Sequence, residues 1–269
     1  MRLEGQVAIV TGASAGIGFS TAKLFCAEGA HVIACARRSA RLKKLQAECT
    51  EAGYPGDITI CQTDVRDPAQ IDRMYDTALE KFGTIDVVVN NAGVLDGMRP
   101  VSEVTDEIYD LVYETNQKAV FLSCRRAVQI LLEQNKHGSI INMGSAASLR
   151  GMRGGLMYVM TKHAVLGITR NVSVCYYERG IRCNCICPAN IKTEINRANS
   201  ELGIGLIDWQ MRAGHGISME MITPPGEGQK PILGKPHDVA ELCLFLADEK
   251  TSRYISGADI KIDASYLNM

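Results

Sequence analysis

The sequence predicts a doubly wound α/β fold: a parallel sheet with helices on both faces, built as one domain over residues 1–269. Two observations carry this. Short apolar runs without polar alternation recur along the chain, the pattern of strands covered on both faces. Between them lie segments in which apolar residues recur at helical spacing. A third observation adds to these: a glycine-rich turn joins the first run to the first helical segment, at the edge of such a sheet where ligands gather.

The elements follow in order. Val7 to Val10 is the first strand, ended by Gly12. Gly18 to Glu28 is a helix with Phe19, Ala22, Phe25 and Cys26 on one side, stopped by Gly29. His31 to Ala36 is the second strand, followed by a helix rich in Arg, Lys and Glu. Ile58 to Thr63 is the third. Asp67 is the N-cap of the next helix and Pro68 its first residue. Asp86 to Asn90 is the fourth strand and Ser139 to Met143 the fifth, with a middle helix between them. Leu156 to Tyr177 is a long helix, and Arg182 to Cys187 a strand halted by Pro188. Asp238 to Ala247 is a helix and Asp259 to Ile262 the last strand. Residues 194–232 break this rhythm, with Gly203, Gly205, Gly214, Gly216 and Pro224-Pro225-Gly226 set among Leu202, Ile204, Leu206, Trp209, Met211, Met219 and Met221. An insertion of this length is commonly functional, and its apolar content argues against disorder.

Composition narrows the function. With 29 Lys+Arg against 30 Asp+Glu the formal net charge is −1, which leaves no electrostatic footprint for nucleic acid or an anionic membrane surface. No apolar stretch approaches the ~20 residues that span a bilayer. A strand-like run beginning at Gln6 leaves no room for a signal peptide, so a cytoplasmic protein is expected. The ten cysteines form no CxxC, and they read as free thiols of a reducing compartment. Cys183, Cys185 and Cys187 alternate and so line one face of a strand, with no nearby His or second Cys pair to complete a zinc site. No metal is expected.

Thr11-Gly12-Ala13-Ser14-Ala15-Gly16-Ile17-Gly18 has the spacing Gly-x-x-x-Gly-x-Gly. Glycines allow tight geometry and close approach to a pyrophosphate, and the following helix N-terminus offers unpaired N–H groups. No Lys follows, so this is not a P-loop. Alone, the turn also fits a merely structural connection. Further motifs accompany it: Asn90-Asn91-Ala92-Gly93 ending the fourth strand, Ser145 after the fifth, and Tyr158-Val159-Met160-Thr161-Lys162 opening the long helix. In this combination the whole chain resembles the short-chain dehydrogenases/reductases, from the first strand to Asp263. Leu233-Gly234-Lys235-Pro236 and Ser252-Arg253-Tyr254-Ile255-Ser256-Gly257 resemble that family's C-terminal pattern.

The resemblance implies a Rossmann-type fold and a catalytic set of Ser145, Tyr158 and Lys162, joined by Asn116 in the middle helix. The chemistry is intelligible from the residues. Reducing a carbonyl needs a hydride on carbon and a proton on oxygen, and Tyr158 can donate that proton or take it back. An unperturbed Tyr titrates near ~10. Lys162, one helical turn on, favours the tyrosinate. Ser145 can hydrogen-bond the substrate oxygen. Asn116, by the same likeness, holds a water linking Lys162 to solvent. Each also has a plainer reading: Tyr158 and Lys162 as a helix surface, Ser145 as a turn cap, and Asn116 as a helix-interior polar group.

The cofactor expected is NADP(H). A carboxylate ending the second strand would bond the ribose 2′-hydroxyl and repel a 2′-phosphate. Here Ala36 is followed by Arg37 and Arg38, which can grip a phosphate. A solvated start to the next helix is the alternative for the two arginines. By resemblance, cofactor contacts fall on Gly12, Ser14, Ile17, Gly18, Arg37, Arg38, Asp64, Val65, Asn91, Ala92, Gly93, Tyr158, Lys162, Pro188, Ile191 and Thr193. Residues 194–232 are expected to form a substrate lid. Its apolar load, with Met152, Leu156 and Met157 nearby, suggests a bulky alcohol or ketone such as a hydroxysteroid or bile acid, whose carboxylate Arg150 or Arg153 could meet. Packing of those apolar residues on each other or on a neighbouring subunit is the alternative. A 3-oxoacyl-thioester reductase is the rival enzyme and an NADP(H)-binding redox sensor the non-enzymatic one. Two departures from the family pattern stand out. Pro188-Ala189 replaces Pro-Gly, and Asp263-Ala264-Ser265 replaces Asp-Gly-Gly in a region that often meets another subunit of a homotetramer.

Overall fold

A computed structural model describes residues 1–151, 154–205, 233–265 and 267, with the side chains of 196–198 left aside. Met152, Arg153, Tyr266, Asn268, Met269 and residues 206–232, which include Trp209, Met211, Met219 and Met221 of the expected lid, lie outside the described residues.

Strands β1 (Val7–Thr11), β2 (His31–Ala36), β3 (Asp57–Gln62), β4 (Val87–Asn90), β5 (Gly138–Met143), β6 (Ile181–Pro188) and β7 (Asp259–Ile262) form a sheet in the order β3-β2-β1-β4-β5-β6-β7. Every neighbouring pair is parallel, with Ile9 opposite Ile33 on one side and Val88 on the other. The chain winds outward from β1 to β3, then returns to the far side of β1 as β4. That reversal opens a crevice beyond the carboxyl ends of β1 and β4.

Parallel neighbours need crossovers, and helices supply them. These are α1 (Gly16–Ala27), α2 (Ser39–Glu51), α3 (Pro68–Phe82), α4 (Asp106–Tyr113), α5 (Ala119–Glu133), α6 (Leu156–Tyr176), α7 (Ile195–Glu201), α8 (Pro236–Ala247) and the short α9 (Glu249–Ser252). Strand side chains alternate between two cores. Ile9, Ile33, Val88 and Ile140 pack with Tyr75, Val128 and Val165 of α3, α5 and α6. Ala8, Val32, Val89 and Ile141 pack with Phe25, Leu42 and Val239 of α1, α2 and α8. This two-sided burial is why the strands lack polar alternation. Cys183, Cys185 and Cys187 share the first of these cores, with the last two sulfurs 4.0 Å apart.

Local signals agree with the helix ends where side chains form them. Asp67 accepts the N–H of Ala69 at 2.9 Å, and Pro68 opens α3. Other boundaries differ from expectation. Pro188 is the last residue of β6 rather than its stop, since it closes the strand opposite Ile262. The middle helix is two helices, α4 and α5, joined by a π-helical turn over Glu114–Lys118. Asn116 sits in that turn, not in a regular helix. No helix among the described residues is long and apolar enough to cross a membrane.

Candidate active site

The site begins where β1 turns into α1. Gly12 adopts the left-handed conformation, φ +69°, and a Cβ there would stand 2.7 Å from the Asn91 side chain. At Gly18 a Cβ would meet the Gly12 carbonyl and Asn91 Nδ2, each at 2.5 Å. Gly18 therefore packs α1 against the turn and does not itself line the cleft. Asn91 holds the opposite wall: its Nδ2 donates to the Thr11 carbonyl at 2.8 Å, and Thr11 Oγ1 accepts the N–H groups of Asn91 and Ala92 at 2.9 and 3.0 Å. No side chain caps α1 at Ala15, so its first-turn N–H groups are left to the cleft. Asn90, by contrast, is buried behind it. It accepts from Ser123 Oγ at 2.6 Å and donates to Asn142 at 2.8 Å.

A cleft of about 710 Å³ runs along this edge. At one end lie Ser14, Ile17, Arg37, Arg38, Asp64, Val65 and Arg66. Arg38 donates through Nε and Nη2 to Ser14 Oγ at 3.3 and 3.1 Å. Its Nη1, buried and 3.7 Å from the Glu201 carboxylate, makes no hydrogen bond among the described residues. Arg66 forks onto Asp64, Nη2 to Oδ2 at 2.6 Å and Nε to Oδ1 at 3.0 Å, and holds that carboxyl below the usual range.

At the other end stand Ser145, Tyr158 and Lys162, and Ala92, Gly93, Pro188, Ile191 and Thr193 also line the cleft. Ser145 caps a short turn over Ala146–Ser148, its Oγ accepting from Ala147 N at 3.1 Å. Lys162, one turn beyond Tyr158 on α6, donates to the Met143 carbonyl at 2.7 Å. Its Nζ lies 5.6 Å from the centre of the Tyr158 ring. Burial pushes the lysine down to about 8. Burial pushes the Tyr158 hydroxyl up; the hydrogen bond with Ser145 pulls it back, and the charge of Asp96 pushes it further up. Asn116 is fully buried and turned to the backbone of Val94, beside Gly93. Ala189 is not among the left-handed residues, and its N–H bonds Ile262 O at 3.2 Å. Alanine in place of the family's glycine therefore imposes no left-handed strain at this position. Ala264 and Ser265 do take left-handed angles, φ +47° and +66°, where the family pattern has glycine.

These residues fit a nicotinamide dinucleotide: glycines where a Cβ would intrude, free first-turn N–H groups, and an arginine atom without a hydrogen-bond partner at the far end. The expected set omitted Thr115, Met98 and Arg66, which line the cleft, and Asp96 and Asn199, which do not. Arg150, expected to meet a substrate carboxylate, donates instead to Leu267 O at 3.1 Å. No cluster of metal-ligating side chains occurs among the described residues.

Comparison with known proteins agrees with this geometry. The family profile described as short chain dehydrogenase matches residues 6–202. The chain is 32% identical to a 3beta-hydroxysteroid dehydrogenase 2 of Eggerthella lenta, over 98% of this chain and 95% of that one. It is 34% identical to a 3-oxoacyl-(acyl-carrier-protein) reductase of Thermotoga maritima, over 98% of each. The crystal structure of levodione reductase superposes with a TM-score of 0.85 at 27% identity, covering 99% of both chains. A Rossmann-type sheet, a glycine turn at its switch point, and a Ser, Tyr and Lys facing that turn across one cleft thus come together in a chain that belongs to the short-chain dehydrogenase family of oxidoreductases, which use a nicotinamide cofactor.

Proposed function

We propose that the protein is an NADP(H)-dependent oxidoreductase that interconverts a secondary alcohol and a ketone on a bulky apolar substrate such as a hydroxysteroid or bile acid. One observation carries the reading: a single cleft is lined by Arg37 and Arg38 at one end and by Ser145, Tyr158 and Lys162 at the other. When bound, the nicotinamide supplies or accepts the hydride. Tyr158 donates a proton to the carbonyl oxygen, or accepts it in reverse. Ser145 hydrogen-bonds that oxygen, and Lys162 favours the tyrosinate. Asn116 positions the water that links Lys162 to solvent. Gly12, Ser14, Ile17, Asn91, Ala92 and Gly93 cradle the pyrophosphate and ribose, Asp64 and Val65 meet the adenine, and Pro188, Ile191 and Thr193 the nicotinamide.

Support for the substrate class comes from the two 3beta-hydroxysteroid dehydrogenases among the relatives, that of Eggerthella lenta and one of Mediterraneibacter gnavus at 30% identity. Val94, Leu95, Met98, Ile195 and Leu233 add an apolar lining. The Thermotoga maritima relative favours a second reading, a 3-oxoacyl-thioester reductase. One catalytic domain over 1–269, a lid at 194–232 and a homotetramer accompany the proposal. So does a cytoplasmic location, with which ten free cysteines accord.

The test is consumption of NADPH and of NADH with ketosteroids, oxo-bile acids, 3-oxoacyl thioesters and small ketones. NADPH-preferring, saturable turnover of a steroid is expected. Turnover of thioesters alone replaces the substrate class. Tight NADPH binding with no turnover of any compound overturns the enzymatic reading in favour of a redox sensor.

A further inference from the structure

Three consecutive residues after β4 are each tied to a different part of the molecule. Asn116 holds both polar backbone atoms of Val94: its Oδ1 accepts Val94 N at 2.9 Å and its Nδ2 donates to Val94 O at 2.8 Å. Asn199, in α7, does the same for Leu95, at 3.1 and 2.8 Å. Asp96 turns its carboxylate to α6, where Oδ2 accepts the N–H of Tyr158 at 3.0 Å, while Oδ1 accepts Met98 N at 3.0 Å.

The helix needs this cap from elsewhere. Its own N-cap residue is Gly155, which has no side chain to offer. A Cβ at 155 would collide with the Asp96 carboxylate and with Arg99 N. Asp96 is fully buried and Asn199 is 3% exposed, so both geometries are enforced by the absence of competing water. Neither residue lines the cleft, so any effect on the reaction passes through another group.

We propose that Asp96 and Asn199 are positioning residues for proton transfer at Tyr158: Asp96 sets the first turn of α6, and Asn199 sets Asp96 through the Leu95 peptide. The seating of α7 thereby governs where the Tyr158 side chain stands. This rests on the reading of Tyr158 as proton donor. The logic is geometric, since a displacement of about 1 Å at a reacting group costs on the order of 100-fold in rate.

The experiment compares wild type with Asp96→Asn, Asn199→Ala and the double variant, using Tyr158→Phe as control. Hydrogen exchange of the cofactor-free protein is read for the peptide covering Leu156–Met160. Both single variants should exchange faster there, although residue 199 lies on another element. In turnover, Asp96→Asn should lower kcat by about 10-fold or more with the NADPH dissociation constant held within about 2-fold. Asn199→Ala should lower kcat less, and should add little in the Asp96→Asn background, because the two act in series. A pH profile separates positioning from mere stability. The charged or titratable groups facing Tyr158 are Lys162 on its own helix, Asp96 from the loop and Cys187 from β6. Neutralising Asp96 should move the alkaline limb of carbonyl reduction to lower pH.

Unchanged exchange at 156–160 with unchanged kcat in Asn199→Ala overturns the proposal, and that variant carries the test alone if Asp96→Asn does not fold. A Tyr158→Phe variant without turnover beside silent Asp96 and Asn199 variants rejects the relay only. A Tyr158→Phe variant that still turns over rejects the proton-donor reading and the relay with it.

Discussion

The Lys162 ammonium donates to the main-chain carbonyl of Met143 at 2.7 Å and is 4% exposed. One neutral acceptor offsets only part of the hydration that the charge has lost. Its pKa accordingly falls to about 8, against about 10.4 for an unfolded lysine. Between these values the unfolded chain binds more protons than the folded one, so stability rises with pH across that window. Below about 8 the full cost is present.

Lys162→Met should therefore raise the melting temperature at pH 7 by removing a buried charge that costs on the order of 1–3 kcal/mol. The gain should shrink as pH approaches 10. Thermal melts of both proteins at pH 7 and 9.5 check this. Equal or lower stability of the variant at pH 7 would mean that the ammonium is better satisfied than its burial implies. Carbonyl reduction should be lost in the same variant.

Tyr158→Phe keeps the ring and removes the proton donor. A loss of about 100- to 10,000-fold in kcat is expected. Cofactor affinity should change little, because the ring stays in place. Because burial pushes the wild-type hydroxyl up, alcohol oxidation should climb with pH into the alkaline range. A variant retaining turnover within a few-fold of wild type would remove Tyr158 from the reaction.

Arg38 lines the cleft, and its Nη1 makes no hydrogen bond among the described residues, with the Glu201 carboxylate 3.7 Å away as its ion-pair partner. A charge-assisted bond from Nη1 to a 2′-phosphate should contribute about 1.5–3 kcal/mol. Arg38→Ala should thus weaken NADPH binding by about 10- to 100-fold while NADH binding moves little. Fluorescence titration with each cofactor decides it. A parallel loss for both would assign Arg38 to holding Ser14 instead.

Ala264 and Ser265 sit at φ +47° and +66°, where a Cβ is unfavourable. Glycine at either position should stabilise the fold by about 0.5–1 kcal/mol, the relief of strain outweighing the added freedom of the unfolded chain. Urea unfolding of Ala264→Gly and Ser265→Gly measures this. Destabilisation would show that the two side chains contribute packing greater than their backbone cost.

Much of the fold was legible because its causes are local. The runs at His31–Ala36 and Asp259–Ile262 are strands with those same limits, and Asp67-Pro68 starts α3. These follow from two-sided burial, and from a cap and a proline adjacent in sequence. The π-helical turn at Asn116 was not legible, since no residue there signals an extra residue per turn. Asp96 left a faint trace: a carboxylate in an apolar run, and a glycine pair where α6 needed a cap. Asn199 left none, for its partner is a backbone amide 104 residues away.

By itself, then, the sequence determined the alternation of strands and helices and the glycine turn, because apolar spacing along one element and the geometry of a tight turn are properties of neighbouring residues; the Ser145, Tyr158 and Lys162 set was expected from the family resemblance that the motifs carry. The tertiary structure alone decided that Arg38 leans on Ser14, that Lys162 donates a hydrogen bond to the Met143 carbonyl, and that Asp96 caps the helix carrying Tyr158. Those relationships join residues that only parallel strand pairing and two-sided packing bring together, and burial then sets their strength by excluding the water that would otherwise satisfy them.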